Sequence, residues 1–337
     1  MKNILVVNVN WLGDAIFSTP VFKALKRAHP DAHISCLAVP RVKDVLKNCP
    51  FIDDILVYDE KGEHWYPWAK LKMILSLRSK KFDVVFLLHR SMTRALLVFM
   101  AGIPQRVGYD TKKQSRFLTR KISLSATELH RSDEYLRMLE GFGVPVNDRV
   151  CELDVPSENS LAIEKKLISV GIKQDDKLVV VNTGGNWDLK RWPAEYFSDL
   201  TKRLVEDFNV KILIPGGKSD LDLATGIAQR SGVDPCVWAG QTNLNELLAL
   251  FKRADVVISN DSGPAHVAAS VGTDVIAIFG PTRPEITAPR GRGRVMVLHK
   301  EIGCNKAPCY HLACSQNDCM RAITVNDVLQ AFQKFQS

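Results

Sequence analysis

The sequence predicts an α/β protein built from two doubly wound units in tandem. Short stretches that are apolar throughout, among them Ile4–Val7, Val84–Leu88 and Val275–Phe279, alternate with segments of helical composition. A parallel sheet covered by helices on both faces requires strands of that kind. The alternation occurs twice, on either side of a polar stretch at Val146–Glu158 with Pro145 and Pro156 nearby, which reads as a linker. A chain of 337 residues is long enough to bury two cores. The expected extents are 1–155 and 156–322 for the two units and 323–337 for a terminal helix.

Taken in order, residues 3–9 form a first strand, and Asn10-Trp11-Leu12-Gly13-Asp14 turns into a helix over Ala15–Ala28. Strands follow at His33–Val39, Ile55–Tyr58 and Asp83–Leu88, with helices at Arg41–Lys47, Leu71–Leu77 and Ser132–Phe142. The aromatic cluster around Trp65, Tyr66 and Trp68 reads first as core, with a membrane-interface foot as the alternative. In the second half, strands are expected at Leu178–Asn182, Val210–Ile214, Cys236–Ala239, Val256–Ile258, Asp274–Phe279 and Val295–Leu298. Helices are expected at Ala194–Asp207, Leu221–Arg230, Leu244–Arg253, Ala265–Val271 and Val325–Phe335.

Composition narrows the function classes. An apolar content of 46% with 24% charged residues is that of an ordinary globular protein. No window approaches the ~18 consecutive apolar residues of a membrane span. The N-terminus, with one lysine and a short apolar run ended by Asn8, reads as a strand and not as a signal peptide, so a cytosolic location is expected. The net charge is +8, and Arg90–Lys121 holds eight lysines and arginines against the single acid Asp110. Such a stripe attracts an anionic partner, whether phosphorylated lipid, membrane surface or nucleic acid. Nucleic acid is the weaker partner, because interleaved aromatics and the known recognition patterns are missing.

Candidate chemistry gathers at the carboxyl ends of the strands, where doubly wound sheets bind ligands. Thr183-Gly184-Gly185-Asn186, Pro215-Gly216-Gly217-Lys218-Ser219 and the Asp261–His266 turn all present backbone N–H groups there. In the last of these, Ser262 or Asp261 is placed to cap a helix, Gly263 lets backbone approach a ligand, and His266 lies about one turn in. Helix starts of this kind seat phosphate. With Lys190 seven residues beyond Thr183, the inference is a nucleotide diphosphate held by loop amides and one lysine, although a surface lysine explains Lys190 equally well. No Walker or G-x-G-x-x-G pattern is present. Asp14, at the carboxyl end of the first strand, is either a capping carboxylate or a general base for an attacking hydroxyl. Four cysteines, Cys304, Cys309, Cys314 and Cys319, recur at a constant spacing of five that matches neither zinc nor iron–sulfur patterns, so a packed cysteine-rich loop is expected ahead of a metal site.

Together, Trp11-Leu12-Gly13-Asp14-Ala15 with Thr19-Pro20, Lys190-Arg191-Trp192-Pro193, Asn260-Asp261-Ser262-Gly263-Pro264-Ala265-His266 and Phe279-Gly280-Pro281-Thr282 resemble glycosyltransferase family 9, the heptosyltransferases of lipopolysaccharide inner-core synthesis, most closely its heptosyltransferase II type. The resemblance spans nearly the whole chain. It implies a GT-B fold, two Rossmann-like domains with a cleft between them, the first taking the acceptor and the second ADP-L-glycero-D-manno-heptose. By matching motif it implies Asp14 as the base of an inverting displacement, with Gly13 beside the acceptor. Thr183, Gly184, Gly185, Asn186, Lys190, Ser262 and Gly263 would hold the diphosphate, Asp261 the sugar hydroxyls, Thr242 the adenine edge, and His266 the leaving group or the turn. Asp220 or Asp222 would take the ribose. Arg90, Arg94, Arg116 and Arg120 fit an acceptor bearing phosphate and carboxylate groups, at the cytosolic face of the inner membrane. No metal or other cofactor is implied. The alternatives are the same fold using another nucleotide sugar, an epimerase of the same shape, and a non-catalytic nucleotide-sugar or lipid binder.

Overall fold

Strands whose residues are buried on both faces need hydrogen-bonded neighbours on both sides, and the computed structural model supplies them in two parallel sheets. It describes residues 1–185, 187–304, 308–309, 314 and 316–336, and its contacts divide the chain into Met1–Leu153 and Asp154–Ser337.

The first unit runs β1 (Asn3–Val7), α1 (Leu12–Phe17), α2 (Thr19–Ala28), β2 (His33–Ala38), α3 (Pro40–Leu46), β3 (Asp54–Val57), α4 (Pro67–Ser79), β4 (Val84–Leu87), α5 (Met92–Met100), β5 (Gln105–Tyr109), β6 (Arg120–Ile122) and α6 (Arg131–Phe142). Its strand order is β3-β2-β1-β4-β5-β6, all parallel. Ile4, Leu5, Val6 and Val7 are fully buried, as a central strand of such a sheet demands.

The second unit runs α7 (Ser157–Ser169), β7 (Leu178–Asn182), α8 (Ala194–Phe208), β8 (Lys211–Gly216), α9 (Leu221–Ser231), β9 (Cys236–Ala239), α10 (Leu244–Arg253), β10 (Val256–Asn260), α11 (Gly263–Ser270), β11 (Asp274–Phe279), α12 (Pro284–Thr287), β12 (Val295–His299), α13 (Asp318–Arg321) and α14 (Val325–Gln336). Its order is β12-β11-β10-β7-β8-β9, again parallel throughout. The terminal helix α14 shares this unit's core: Val328, Leu329 and Phe332 pack in one cluster with Trp192, Phe197 and Leu200. The Trp192 indole N–H donates to the Ile323 carbonyl at 2.8 Å.

The two sheets are wound alike, and they share a clasp. Asp83, just before β4, accepts hydrogen bonds from the backbone N–H groups of Lys2 and Asn3 at 2.6 and 3.0 Å, joining the entry of β4 to that of β1. Asp255, just before β10, accepts from the N–H of Leu178 at 2.8 Å and joins β10 to β7 in the same way. Both acids stand in an Asp-Val-Val sequence.

Three expectations are corrected. The helix expected over Ala15–Ala28 is two helices meeting at Ser18, whose hydroxyl donates to the Ala15 carbonyl at 2.6 Å. The stretch read as a linker already starts α7 at Ser157. Finally, Trp65, Tyr66 and Trp68 are not core but 63%, 52% and 68% exposed, because the face of α4 that meets the sheet is supplied instead by Ile74 and Leu77.

Candidate active site

Each sheet has one place where the chain, having wound outward from its first strand, returns to that strand's other side. In the second unit this reversal lies between β7 and β10. Loops diverge there, leaving a crevice at the carboxyl ends of the strands. Two asparagines build its floor. Asn260, fully buried at the end of β10, donates to the carbonyls of Thr183 at 2.9 Å and Gly184 at 3.2 Å, and its side-chain oxygen accepts from the Trp192 N–H at 3.0 Å. Asn182, at the end of β7, donates to the hydroxyls of Ser259 at 2.9 Å and Ser262 at 3.0 Å. The loop after β7 is thereby bound to the turn after β10.

Asp261 stands in that turn and is 4% exposed. A carboxylate so buried requires partners, and it has two: the Lys190 ammonium donates at 2.6 Å and the Thr282 hydroxyl at 2.5 Å. Lys190 also lies over the Trp187 ring, 5.1 Å from its centroid. Three loops therefore converge on one charged pair. Next to it α11 begins, with Ser262 at its N-cap, Gly263 as its first residue and His266 buried one turn in. The Ser262 side chain makes no capping bond; it accepts from Asn182. Asp261 is ion-paired and not a cap, so neither side chain does what the turn chemistry led us to expect, and the helix start presents its amides uncapped by side chains.

The neighbouring strand ends carry the remaining candidates. Thr183 is fully buried, and its hydroxyl has no hydrogen-bond partner among the described residues. Gly184 and Gly216 face Asp220, whose carboxylate accepts from the Gly217 N–H at 2.9 Å. A Cβ on Gly216 would lie 2.9 Å from Cβ of Asp220, so this contact admits only glycine. Of the two acids considered for the ribose, Asp220 thus lies at the loops after β7 and β8, whereas Asp222 is exposed in the first turn of α9. Gly185 accepts from Arg191 at 3.2 Å. Thr242 is half-buried beyond β9, where Gly240, at φ 76°, reverses the chain. Asn186 lies outside the described residues.

In the first unit the reversal falls between β1 and β4, and Asp14 belongs to its rim. It sits in the first turn of α1, next to Gly13 and half-buried. Burial raises the pKa of its carboxyl, while the Arg131 charge and a hydrogen bond from the Tyr135 hydroxyl pull it down. Arg90, just beyond β4, pairs with Glu134 of α6, and its guanidinium lies 5.1 Å from the centroid of Tyr109. Arg131 pairs with the same Glu134 at 2.9 Å.

Arg94 has a different surrounding. It is 2% exposed, and its guanidinium donates to the Asn8 carbonyl and the Asn10 side-chain oxygen, each at 2.7 Å. It fixes the backbone that leads from β1 towards Asp14. Asn10 also meets His89 at 3.2 Å, and burial, then the Arg94 charge, brings the His89 pKa down to about 4. Arg116 is exposed after β5, while Arg120 starts β6 and reaches the Gly141 carbonyl at 3.3 Å. In register Arg120 is level with Val107 of β5, on the outermost strand of the sheet.

The structure thus brings Asp14 and Arg90 to one rim, and Thr183–Gly185, Lys190 and Asp261–Gly263 to another. Arg131 and Tyr135 escaped the sequence because their approach to Asp14 spans more than a hundred residues. Asn260 and Thr282 stand inside stretches the sequence does mark, but nothing in it says that one ties loops and the other caps a carboxylate.

The four cysteines, with Thr282, Leu189 and His299, line one cavity of about 790 Å³. Cys309 is buried, and Cys304 and Cys314 are exposed. The Cys319 pKa is raised by burial, against backbone hydrogen bonds that lower it, with Cys314 and Cys304 close enough to add to the rise. Among the described residues no group of three or more ligating side chains is placed to hold a metal ion.

Known proteins share this architecture. The chain is 26% identical over 324 residues to lipopolysaccharide heptosyltransferase 2 of Escherichia coli K12, covering 91% of this chain and 92% of that one. It is likewise 26% identical to its Salmonella typhimurium counterpart, over the same shares. Among solved structures it superposes on a glycosyl transferase family 9 protein from Veillonella parvula with a TM-score of 0.87 at 26% identity, covering 99% of this chain and 97% of that one. For E. coli ADP-heptose lps heptosyltransferase II the TM-score is 0.79 at 22% identity, with coverages of 99% and 98%, so the two sheets have the GT-B fold of that enzyme. Residues 70–319 match the signature described as glycosyltransferase family 9 (heptosyltransferase), and the chain belongs to that family of glycosyltransferases.

Proposed function

We propose that the protein transfers heptose from ADP-L-glycero-D-manno-heptose to a hydroxyl of the lipopolysaccharide inner core, with inversion at the anomeric carbon. The carrying observation is the Lys190–Asp261 pair beside the uncapped start of α11. Helix-start amides and a lysine stabilise the negative charge that accumulates on a departing diphosphate. Asp261, already oriented by Thr282, accepts hydrogen bonds from sugar hydroxyls once Lys190 turns to the phosphates. Thr183, Gly184 and Gly185 complete the phosphate cradle, Asp220 takes the ribose, and Thr242 the adenine edge.

Asp14 removes the proton from the acceptor hydroxyl as it attacks. Its raised pKa makes it a stronger base than an exposed aspartate, and Arg131 and the Tyr135 hydroxyl restrain the rise. Arg90 and Arg116 meet anionic groups of the acceptor. In this reading the first unit binds the acceptor and the second the donor, and the enzyme works at the cytosolic face of the inner membrane. No described helix is long and apolar enough to cross a membrane.

Two relatives with heptosyltransferase names support the sugar, and the donor assay tests it. Purified protein is given lipid A–Kdo acceptors and a panel of nucleotide sugars, and the products are weighed by mass spectrometry. Addition of one heptose from the ADP-sugar is the expected result; transfer from a UDP-hexose alone would refute the proposal.

A further inference from the structure

The outer faces of α4 and α5 carry apolar stripes as well as the inner ones, with Lys72, Ser76, Arg78 and Ser79 beside the stripe on α4. On α4, Trp68, Leu71 and Leu75 follow one another at helical spacing and are 68%, 52% and 54% exposed. On α5, Met92, Leu96, Phe99 and Met100 do the same at 37–47% exposure. Behind them, Ile74, Leu77, Ala95, Leu97 and Val98 fill the core. A helix covering a globular core is normally polar on its outer side, whereas these two set leucine, methionine and aromatic side chains there. Both cover the same face of the first sheet and pack together, with Arg78 of α4 donating to the Met100 carbonyl at 3.2 Å. Their stripes thus form one surface, extended by Tyr66, whose ring stacks on Trp68 at 4.6 Å. Continuous apolar surface of this kind marks a binding face.

The charge around it selects the occupant. Residues 67–117 contain eleven lysines and arginines against two acids, Asp83 and Asp110. Lys72 is exposed on α4. Arg106 lies over Phe99, 5.3 Å from its centroid, and the Arg116 guanidinium is 3.3 Å from the Met92 sulfur. A second copy of this face would set cations against cations. Nucleic acid would leave Leu71, Leu75 and Leu96 without use, since bases stack on rings and not on aliphatic chains. Aromatic rings beside leucines, ringed by long cationic stems, are what the headgroup boundary of an anionic bilayer accepts.

We infer that the α4–α5 face docks on an anionic lipid bilayer, with Trp68, Leu71, Leu75 and Phe99 entering the headgroup–acyl boundary and the cations meeting lipid phosphates. This surface is separate from the donor site and does not depend on which sugar is transferred.

The test is co-sedimentation of the full-length protein with vesicles of phosphatidylglycerol and phosphatidylethanolamine, against vesicles of phosphatidylcholine. The wild type should partition to the anionic vesicles, less so as salt rises. Leu71→Ser with Leu75→Ser, both exposed, should lower that partition by roughly tenfold or more, and Lys70→Glu with Lys72→Glu should lower it and flatten the salt dependence. A blue shift of tryptophan emission and its quenching by brominated lipid report insertion in the unmutated protein, so the test does not rest on the variants folding. No vesicle binding by the wild type, or equal binding by wild type and L71S/L75S, would overturn the inference. So would a wild-type dimer that L71S/L75S abolishes, or RNA competing the protein off vesicles.

Discussion

The ammonium of Lys190 lies 2.6 Å from a carboxylate oxygen of Asp261, and that carboxylate is 4% exposed. The pair holds its charges in balance. Removing the lysine alone leaves a buried carboxylate with only the Thr282 hydroxyl. Lys190→Ala should therefore cost about 3 kcal/mol of stability in denaturant unfolding and raise the donor KM. Adding Asp261→Asn should restore most of the stability and none of the donor affinity. If the double variant is no more stable than the single one, the pair is not what balances this turn.

Asp14 makes a pH-dependent prediction. A base must be ionised, and burial raises the pKa of this carboxyl above its ordinary value. The acid limb of kcat/KM should then lie above the ordinary carboxylate range, and Asp14→Ala should lower kcat by roughly 100-fold or more with donor binding retained. Stability runs the other way. A carboxyl whose folded pKa exceeds its unfolded one favours the fold while protonated, and that contribution is lost as pH rises through the folded pKa. Asp14→Asn should consequently melt higher than wild type at neutral pH, with the gap closing on acidification. A lower melting point at neutral pH would contradict the assignment of burial as the dominant influence.

Asn260 joins the loop after β7 to the turn after β10 through two carbonyls and one N–H. Asn260→Ala strands all three in a buried place, at a cost of about 3 kcal/mol. The donor KM should rise with little change at the acceptor, a split that initial-rate kinetics with each substrate varied in turn would measure.

Arg94 acts at one remove from Asp14. Arg94→Met keeps much of the side-chain volume but frees the Asn8 carbonyl and the Asn10 side chain. We expect about 2 kcal/mol of lost stability and a fall in kcat, with the acid limb of the pH profile unmoved because Asp14 keeps Arg131 and Tyr135. A large rise in acceptor KM with kcat intact would instead make Arg94 a direct acceptor contact.

Asp83 should weaken in acid. Hydrogen bonds from Asn3 and Lys2, in that order, hold its pKa below the ordinary value. Its contribution is present above the unfolded pKa and lost as pH falls through the folded one. Asp83→Asn should cost about 1 kcal/mol at neutral pH, with the difference from wild type shrinking as pH falls below the ordinary aspartate value.

Most strands of the second unit could be read directly, because each is apolar throughout and is followed by a small polar turn; Leu178–Asn182, Cys236–Ala239 and Asp274–Phe279 have the bounds the sequence implies. Helix α5 is not legible in this way, since Met92–Met100 has apolar residues on both faces and sits in a stretch dominated by cations. Trp65, Tyr66 and Trp68 read as core for a related reason: composition carries burial only on average, and it has no means of marking a face that is apolar and open to solvent. In the site, Lys190 and Asp261 were both singled out, yet their pairing depends on loops 71 residues apart, and local pattern does not encode it.

The like winding of the two sheets, each with its own aspartate clasp, has a consequence for how the molecule comes apart. Neither sheet borrows a strand from the other, and the described clusters of buried side chains each stay within one half. Each half therefore has the means to melt as a unit: calorimetry should resolve two steps, and a nucleotide that grips the latter half should delay only one of them.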